Sequence, residues 1–587
     1  MTLNFRLFAL VLAAAPLAAC ATAPAPAPAA PAAAPATQPA AGADADAEFV
    51  APDEPRPYGA FLAGRAALNS GDGARATDYL NRASREAGTD AYLRTQAFIA
   101  ALAAGDVTRA AALAPAGAEA LDDSNRQLGL VVRGVEALAS NKGQVAYALL
   151  TTEDFRPPYR AVGSLLVPFA AAAAGKTDEA VGVVADLGDP VSNYFARLAQ
   201  GRLMERARRY DDAEAAFKAL VAQGDPGGLA SLALGAFLER RGRFDDAVAV
   251  YDAALGRQPG DSQFRQARER ATARRKPAMM SLNGAAAEAI MGPAESMVVQ
   301  QRYTTALAYL RLALRLDPSR ADALVMVGDL LNLRGDVAGA RDAFGQVPKT
   351  SGQYLVAQAK VAWSYQRAGD HERAVAVAQA MVGADASGVA GRLTLAEILR
   401  DGGQYEDAAK VLTQVLESPD ANAEWRVYSL RAENYRQAGR WAEAEKDLQT
   451  ALALSPGEAE VQTALANGWI DRGENLDRAV PMAEEALART PNSGPTIAAV
   501  GWGYYRQGKF TEAVAMLERA VLAAPGDAQI NDRLGDAYWR VGRRNEAKYQ
   551  WSRALSLDPS PGLKAAAEAK LASPQGPDVA AGRSAAS

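Results

Sequence analysis

Residues 494–560 decide the fold, because they contain the same pattern twice. They read GPTIAAVGWGYYRQGKFTEAVAMLERAVLAAPGD over the first 34 residues and AQINDRLGDAYWRVGRRNEAKYQWSRALSLDPS after them. Six residues of the first line have counterparts 34 positions later: Gly501, Tyr504, Ala513, Leu517, Ala520 and Pro525 recur as Gly535, Tyr538, Ala547, Trp551, Ala554 and Pro559. Self-similarity at a fixed period predicts a chain built by stacking one small structural unit.

Each recurring residue type has a physical role in a pair of antiparallel helices. Small residues such as Gly501 and Ala513 let two helices approach closely, and a larger residue there would overpack the contact. Gly508 and Gly542 fall where the first helix of each unit must end, and glycine readily takes the left-handed conformation of that position. Pro525 stops the second helix. Because one hairpin cannot bury its apolar face alone, the units must stack.

The spacing G-x2-Y-x8-A-x3-(L/W)-x2-A-x4-P resembles the tetratricopeptide repeat, a helix–turn–helix unit of the same period. The resemblance implies an all-α fold, namely a right-handed superhelical solenoid of about 14 repeats. It also implies that the first helices of the units line a concave groove in which segments of partner proteins lie. The abundance of alanine and the lack of alternating β-branched runs favour the same helical fold.

Composition excludes several classes of function. The chain has 587 residues and a formal net charge of −5, which argues against a dedicated nucleic-acid binder. It contains one histidine and one cysteine, so it cannot form an internal disulfide or a zinc site of the usual Cys/His type. We therefore expect no metal and no cofactor.

The first twenty residues have the features of a secretory signal. Arg6 precedes a short apolar run over residues 7–15, which is too short for a permanent membrane-spanning helix. The signal ends in Leu17-Ala18-Ala19-Cys20, which resembles the lipobox of bacterial lipoproteins. In that family the cysteine is acylated and becomes the new N-terminus, so the resemblance implies a lipid anchor at Cys20. The alternative is that Cys20 is only a small residue near an ordinary cleavage site.

The residues after Cys20 suggest where such a protein would be held. Ala21 and Thr22 lack the aspartate that often retains lipoproteins in the inner membrane, so the resemblance implies the outer membrane, facing the periplasm. Residues 21–56 are dominated by alanine and proline, which predicts a disordered, extended tether. At about 3.1 Å per residue this tether would reach on the order of 110 Å.

The repeat rhythm divides the remaining chain. Pro168 takes the glycine position of the fourth unit, so we expect it to strain or shorten that helix. The predicted segments are an N-terminal block of degenerate repeats over residues 57–261, a basic segment over 262–286, a C-terminal block over 287–561, a capping helix over 562–572 and a disordered tail over 573–587.

The basic segment allows two interpretations. It carries six cationic residues, namely Arg265, Arg268, Arg270, Arg274, Arg275 and Lys276. One interpretation is a solvated, charged helix that bridges the two blocks, since charge runs are usually exposed faces. The other is an electrostatic contact with lipid head groups or an acidic partner.

No catalytic constellation is evident in the sequence. His371 falls beside the turn before a second helix and has no nearby thiol or serine partner, so we expect an exposed structural role and no catalytic residues. Paired carboxylates such as Glu484 and Glu485 are ordinary on amphipathic helices. A cell-wall enzyme nevertheless remains an alternative of another functional class.

The candidate site is the groove of the last two repeats. Positions 9, 12 and 13 of each unit should line it, and there they include tryptophan, tyrosine and arginine, the types that dominate binding hot spots. The alternative is that these aromatic residues only pack between neighbouring repeats. The predicted groove residues are Trp502, Tyr505, Arg506, Asp536, Trp539 and Arg540.

Together these patterns predict a lipid-anchored scaffold whose partners are other envelope proteins. The family resemblance suggests an adaptor that presents cell-wall hydrolases to a C-terminal processing protease. The alternative that it allows is an assembly factor for pili, polysaccharide export or outer-membrane proteins. The oligomeric state is left open by the sequence.

Overall fold

The structure is a computed structural model that describes residues 57–69, 73–86, 90–115, 122–182, 186–225, 227–258, 261–384, 388–418 and 424–573. These described residues form helices and connecting turns, with no strand among them. The all-α prediction is confirmed. The proposed signal, Cys20 and the tether lie outside the described residues, as does the tail beyond residue 573.

Thirty helices cover the described residues. In the first half they are α1 (Pro57–Asn69), α2 (Gly73–Glu86), α3 (Ala91–Ala104), α4 (Val107–Leu113), α5 (Asp123–Ala139), α6 (Gly143–Leu150), α7 (Arg160–Ala173), α8 (Thr177–Ala180), α9 (Pro190–Arg206), α10 (Tyr210–Ala222), α11 (Leu229–Arg240), α12 (Phe244–Arg257), α13 (Ser262–Thr272), α14 (Leu282–Val299) and α15 (Tyr303–Leu316). In the second half they are α16 (Ala321–Leu333), α17 (Val337–Gly345), α18 (Tyr354–Arg367), α19 (His371–Ala384), α20 (Val389–Asp401), α21 (Tyr405–Leu416), α22 (Trp425–Gln437), α23 (Trp441–Leu454), α24 (Ala459–Arg472), α25 (Leu476–Arg489), α26 (Gly494–Arg506), α27 (Phe510–Ala523), α28 (Ala528–Arg540), α29 (Arg544–Leu555) and α30 (Pro561–Ala572).

The helices pair as antiparallel hairpins, α1–α2 through α11–α12 and α14–α15 through α28–α29. The described part of the chain therefore contains fourteen hairpins and two single helices, α13 and α30, in agreement with the predicted repeat number. The turn chemistry is also as predicted: Gly508 and Gly542 have φ values of 80° and 83°. Ala513 and Ala547 are fully buried where the helices of a hairpin meet.

Pro168 behaves differently from the expectation. Helix α7 runs for 14 residues through Pro168 and keeps its full length. It is the second helix of that repeat, α8, that is short, with four residues. Val162, Leu166 and Phe169 are fully buried along α7, so tertiary packing holds the helix although proline removes one backbone donor.

The described chain divides into two compact units. The first unit ends at Tyr354 and the second begins at Leu355. In the first unit, hairpins α1–α2 to α11–α12 follow one another and α13 packs against α11 and α12. The next hairpin, α14–α15, does not simply extend this array. Helix α14 lies against α7 and α9, and α15 lies against α3 and α5. The first unit therefore continues past the predicted 262–286 boundary, because α14–α15 packs back onto earlier repeats.

The basic segment is part of this first unit. Phe264, Ala267 and Ala271 on α13 are buried in the same core cluster as α11 and α12. Arg270 donates hydrogen bonds of 2.9 and 3.0 Å to the buried carboxylate of Glu239 on α11. These contacts place the basic helix at the end of the N-terminal array, where its charges pair with acidic residues of the same unit: Arg268 with Asp252, Arg270 with Glu239 and Arg274 with Asp245.

The second unit is a regular array of hairpins from α18–α19 to α28–α29, followed by the single helix α30. Its core follows the repeat positions, with clusters that join each hairpin to the next. Trp469 and Trp551 are among its largest fully buried side chains. No described helix in either unit is long and apolar enough to cross a bilayer.

Candidate protein-binding surface

Two aromatic residues stack on the first helix of the thirteenth hairpin. Trp502 and Tyr505 lie one turn apart on α26, so their side chains share one helix face. Their ring centroids are 4.4 Å apart and the planes differ by 11°. Tyr505 also makes an edge contact with Phe510 at 5.4 Å. Offset aromatic contacts of this kind fix the orientation of both rings.

Arginine residues surround the stacked rings. The guanidinium carbon of Arg533, on α28, lies 5.2 Å from the ring centroid of Trp502. Arg533 is buried, and it forms an ion pair with Asp471 at the end of α24. Arg506 donates a hydrogen bond of 2.8 Å to the backbone oxygen of Asp471. These contacts link three successive first helices, α24, α26 and α28. Arg533 was not among the predicted groove residues.

Trp539 and Arg540 lie at the end of the next first helix, α28. The ring centroid of Trp539 is 5.5 Å from that of buried Trp551, and the guanidinium carbon of Arg544 lies 5.2 Å from the ring centroid of Trp539. Arg540 is exposed and lies 4.5 Å from the ring centroid of Phe510 on the preceding hairpin. Arginine contacts with aromatic faces of this kind are worth about 0.5–1 kcal/mol at exposed sites.

Asp536 was predicted to line the groove, but in the structure it lies in the interior. It is buried, and its carboxylate accepts hydrogen bonds from Trp551 Nε1 at 3.0 Å and from Lys570 Nζ at 2.8 Å. Lys570, on α30, also donates to Asp532 at 2.7 Å. Burial raises the pKa of Asp536. Asp536 therefore holds α30 against the last hairpin, and position counting could not show this because Lys570 lies outside the repeat.

The remaining predicted residues are neither fully buried nor isolated. Trp502, Tyr505, Arg506 and Trp539 are half-buried, and Arg540 is exposed. Each ring contacts other side chains of the array and is still partly exposed, so these aromatic residues are not confined to packing in the core. We call this surface the C-terminal face, defined by Trp502, Tyr505, Arg506, Trp539 and Arg540.

The row of first helices that leads to the C-terminal face is lined by charged residues. On α22, Arg436 donates two hydrogen bonds to Glu433, at 2.6 and 2.7 Å. Burial would raise the pKa of Glu433, but these bonds and the charge of Arg436 lower it overall. On α20, burial raises the pKa of Glu397. The aromatic cluster of the C-terminal face is therefore next to a polar, self-paired stretch of the same row.

His371, the one histidine, makes contacts that link three parts of the second unit. His371 is half-buried, whereas we expected it to be exposed, and its ring nitrogens lie 2.8 and 3.0 Å from side-chain oxygens of Gln366 and Gln404. These contacts join α18, α19 and the turn before α21, which is a structural role. Among the described residues, no group of three or more His, Cys, Asp or Glu side chains is arranged to hold a metal ion.

Sequence comparison identifies the repeats directly. A family model described as tetratricopeptide repeat matches residues 198–262, 294–353, 361–424 and 501–562. A second model with the same description matches residues 425–458. No curated protein matches the chain.

Several solved structures resemble parts of the chain. A tetratricopeptide repeat protein from Parabacteroides merdae ATCC 43184 is 15% identical over 42% of this chain and 96% of its own, with a TM-score of 0.36. The APC/C hetero-tetramer Cut9–Hcn1 is 13% identical over 88% and 97%, also with a TM-score of 0.36. A thermophilic protein of this type from Thermus thermophilus is 22% identical over 30% and 96%, with a TM-score of 0.27. With the helix hairpins described above, the family matches show that both units of the chain contain tetratricopeptide repeats, the architecture of protein-binding scaffolds.

Proposed function

We propose that the chain is an outer-membrane-anchored periplasmic scaffold that binds other envelope proteins on its C-terminal face. The repeats support a protein-binding role, and Leu17-Ala18-Ala19-Cys20 supports a lipid anchor at Cys20. A tether over residues 21–56 would carry the repeats away from the membrane. The chain itself is not proposed to be an enzyme.

The observation that carries the proposal is the stack of Trp502 on Tyr505 beside arginine residues of two helices. Other large aromatic residues of the second unit, such as Trp469 and Trp551, are at most 1% exposed and lie in the interior. The stacked pair remains half-exposed although it is oriented by Arg533. A preformed aromatic surface with adjacent guanidinium groups matches the residue types and the rigidity of binding hot spots.

The partner class follows from the proposed location. We assign the chain the role of an adaptor that holds cell-wall hydrolases near a C-terminal processing protease. In this role, the C-terminal face contacts a segment of one of these proteins and the lipid anchor confines the encounter to the membrane surface. Confinement raises the effective concentration of the two bound proteins without requiring any new contact between them.

A pull-down from envelope extracts tests the binding surface. The full-length chain is compared with Tyr505→Ala, Arg506→Ala and Trp539→Ala variants, and thermal unfolding of each is followed by circular dichroism. Loss of a hot-spot side chain commonly costs 2 kcal/mol or more, about a thirtyfold loss of affinity. Tyr549→Ala is the matched control, because Tyr549 is 68% exposed on the second helix α29, away from the first-helix row.

The two possible roles of the aromatic residues give opposite results. Partners lost at unchanged melting temperature would support the C-terminal face as a binding surface. Lower melting with partners retained would show that the rings act only in packing, and the surface would then be abandoned. If purified chain alone turned over peptidoglycan, the scaffold proposal would fail in favour of a cell-wall enzyme.

The anchor is tested separately from the binding surface. In cells that express Cys20→Ala, we expect the protein to leave the outer-membrane fraction and to incorporate no labelled fatty acid. A variant that still floats with outer-membrane lipid and still carries label would refute the anchor at Cys20. This result would leave the binding test unaffected.

A further inference from the structure

The hairpin α14–α15 covers the first helices of four earlier hairpins. We call the surface formed by the first helices α3, α5, α7 and α9 the N-terminal face. Arg202 on α9 pairs with Glu288 on α14, with one contact of 2.9 Å. The side chain of Arg311 donates to the backbone oxygen of Ala103 at 3.2 Å. The hairpin is thus fastened at both ends of the N-terminal face.

The middle of the N-terminal face is also occupied. Tyr309 on α15 donates a hydrogen bond of 2.9 Å to the backbone oxygen of Pro158, which precedes α7. Its ring makes an edge contact with Tyr159 at 6.5 Å. Tyr309 is fully buried. Repeat solenoids bind partners on extended concave surfaces, and in this unit the chain itself fills the surface formed by these first helices.

Helix α14 is buried on nearly all sides, as a bound ligand helix would be. Its sequence LNGAAAEAIMGPAESMVV is rich in small residues, and 13 of its 18 residues are buried. Gly292 permits the closest approach: a Cβ atom there would lie 2.6 Å from Phe195 Cδ2 on α9. A helix with this composition fits a narrow cleft, and Glu288 supplies the one carboxylate that meets Arg202.

The array that continues beyond the hairpin has a core of its own. The buried cluster of α9 to α13 contains Phe217, Phe237 and Tyr251, and includes no residue of α14 or α15. Helix α13 closes the end of this cluster with Phe264. After α13, exposed residues lead from the array to the hairpin. The α9 end of the N-terminal face therefore belongs to a core that continues away from the hairpin.

We propose that α14–α15 is an intramolecular ligand of the N-terminal face and withholds that face from partner proteins. The site takes a helix hairpin whose first helix is rich in small residues and presents one carboxylate to Arg202. The second helix presents Tyr309, Arg311 and Arg315 to the earlier helices. In the described structure the occupant is residues 282–316 of the same chain. This proposal does not depend on the binding role of the C-terminal face, because the residues that carry it all lie in the first unit.

Displacement of the hairpin in the full-length chain tests the proposal. Gly292→Leu should collide with Phe195, whereas the matched control Gly256→Leu, at an exposed position of α12, meets no atom within 4 Å. Hydrogen exchange is then read helix by helix. We expect exchange of α14 and α15 amides to accelerate about tenfold or more in Gly292→Leu, while α5, α7 and α9 of the N-terminal face retain their protection. Equal loss of protection in α5, α7 and α9 would show that the hairpin is part of one cooperative core with these helices and would overturn the proposal.

A second measurement asks whether the uncovered face binds the same ligand in trans. The probe is a fluorescein-labelled synthetic peptide of residues 282–316, followed by anisotropy. Gly292→Leu should bind the peptide, whereas wild type and Gly256→Leu should not. Glu288→Gln provides a milder displacement, in case Gly292→Leu perturbs the fold. If α9 stays protected in a displaced variant and the peptide still does not bind, the face is not a ligand site and the proposal is wrong.

Discussion

Arg315 on α15 forms a two-point ion pair with Glu136 on α5, although the residues are 179 positions apart in the chain. The nitrogen–oxygen distances are 2.8 and 3.0 Å. Burial alone would raise the pKa of Glu136, but the hydrogen bonds and charge of Arg315 outweigh it and lower that pKa. Like Arg202–Glu288, this arginine–carboxylate pair fastens the hairpin to the N-terminal face.

The two fastening pairs should differ in strength because they differ in burial. Arg202 and Glu288 have 13% and 6% of their side chains exposed, against 32% and 20% for Arg315 and Glu136. Arg202→Leu strands a buried charge and should cost about 3–5 kcal/mol. Arg315→Leu leaves Glu136 accessible to water and should cost about 1 kcal/mol. Denaturant unfolding followed by circular dichroism measures both losses, and equal losses would contradict this ranking.

Tryptophan fluorescence separates the two units in such experiments. All seven tryptophans lie beyond Leu355, so their emission reports the second unit, whereas circular dichroism reports both. For Arg202→Leu, we expect an altered dichroism transition and an unchanged fluorescence transition. The tryptophans are Trp363, Trp425, Trp441, Trp469, Trp502, Trp539 and Trp551.

Lys570 should be essential for the stability of the C-terminal end of the second unit. Burial alone would lower the pKa of Lys570, but Asp536 and Asp532 outweigh it and raise that pKa. Lys570→Met leaves two buried carboxylates without their cation, which should cost about 3–5 kcal/mol. Lys564→Met on the exposed side of the same helix is the control. Fluorescence-detected unfolding should shift only for Lys570→Met, and similar effects of the two changes would refute the role of the buried cluster.

Replacement by alanine should change the stability of the second unit in opposite directions at two helical glycines. A Cβ atom at Gly468 on α24 would overlap the ring of Trp441, whereas one at Gly383 on α19 meets nothing within 4 Å. Gly468→Ala should therefore destabilise the second unit by roughly 1–3 kcal/mol. Gly383→Ala should stabilise it by about 0.5–1 kcal/mol, since alanine is the better helix former. Thermal unfolding of both variants checks the signs.

Glu295 should make the stability of the first unit depend on pH. Burial, with a smaller contribution from Asp322, raises the pKa of Glu295 to about 7. A group with a raised folded pKa contributes stability below its unfolded pKa, near 4.5, and that contribution is lost as the pH rises through about 7. Glu295→Gln should therefore be more stable than wild type at pH about 8, by on the order of 2 kcal/mol, and the gain should vanish near pH about 4.

The matched control for this pH dependence is Glu269→Gln. Glu269 is an exposed glutamate on α13 of the same unit. Denaturant unfolding at the two pH values should show no pH-dependent gain for Glu269→Gln. A Glu295→Gln variant whose advantage over wild type is the same at both pH values would contradict the assignment.

The sequence was sufficient for the local architecture. The 34-residue period predicted unit starts at 494 and 528, where α26 and α28 begin, and the left-handed glycines at 508 and 542. These features depend on close helix contacts and turns within one hairpin. Such contacts involve residues near one another in the chain, so their pattern is visible in a single repeat.

The packing position of α14–α15 could not be predicted from the repeat pattern in the same way. Its alanines keep the repeat spacing, so the pattern is equally compatible with a helix at the next step of an array and with one buried against earlier repeats. Only long-range partners distinguish the two, such as Glu288 with Arg202 and Arg315 with Glu136. The burial of Asp536 was missed for a related reason, because Lys570 comes from a helix outside the repeat.

The crossing of the hairpin over several repeats constrains how the first unit can change in evolution. Arg315 meets α5, Tyr309 meets the start of α7 and Glu288 meets α9, so these contacts require a fixed number of repeats beneath one hairpin. Duplication or deletion of a repeat beneath the hairpin would shift the partner residues relative to one another, so these contacts could not all form together. In the second unit, where hairpins mainly contact their neighbours, a repeat could be gained or lost without this penalty. Length variation should therefore be tolerated in the second unit and selected against in the first.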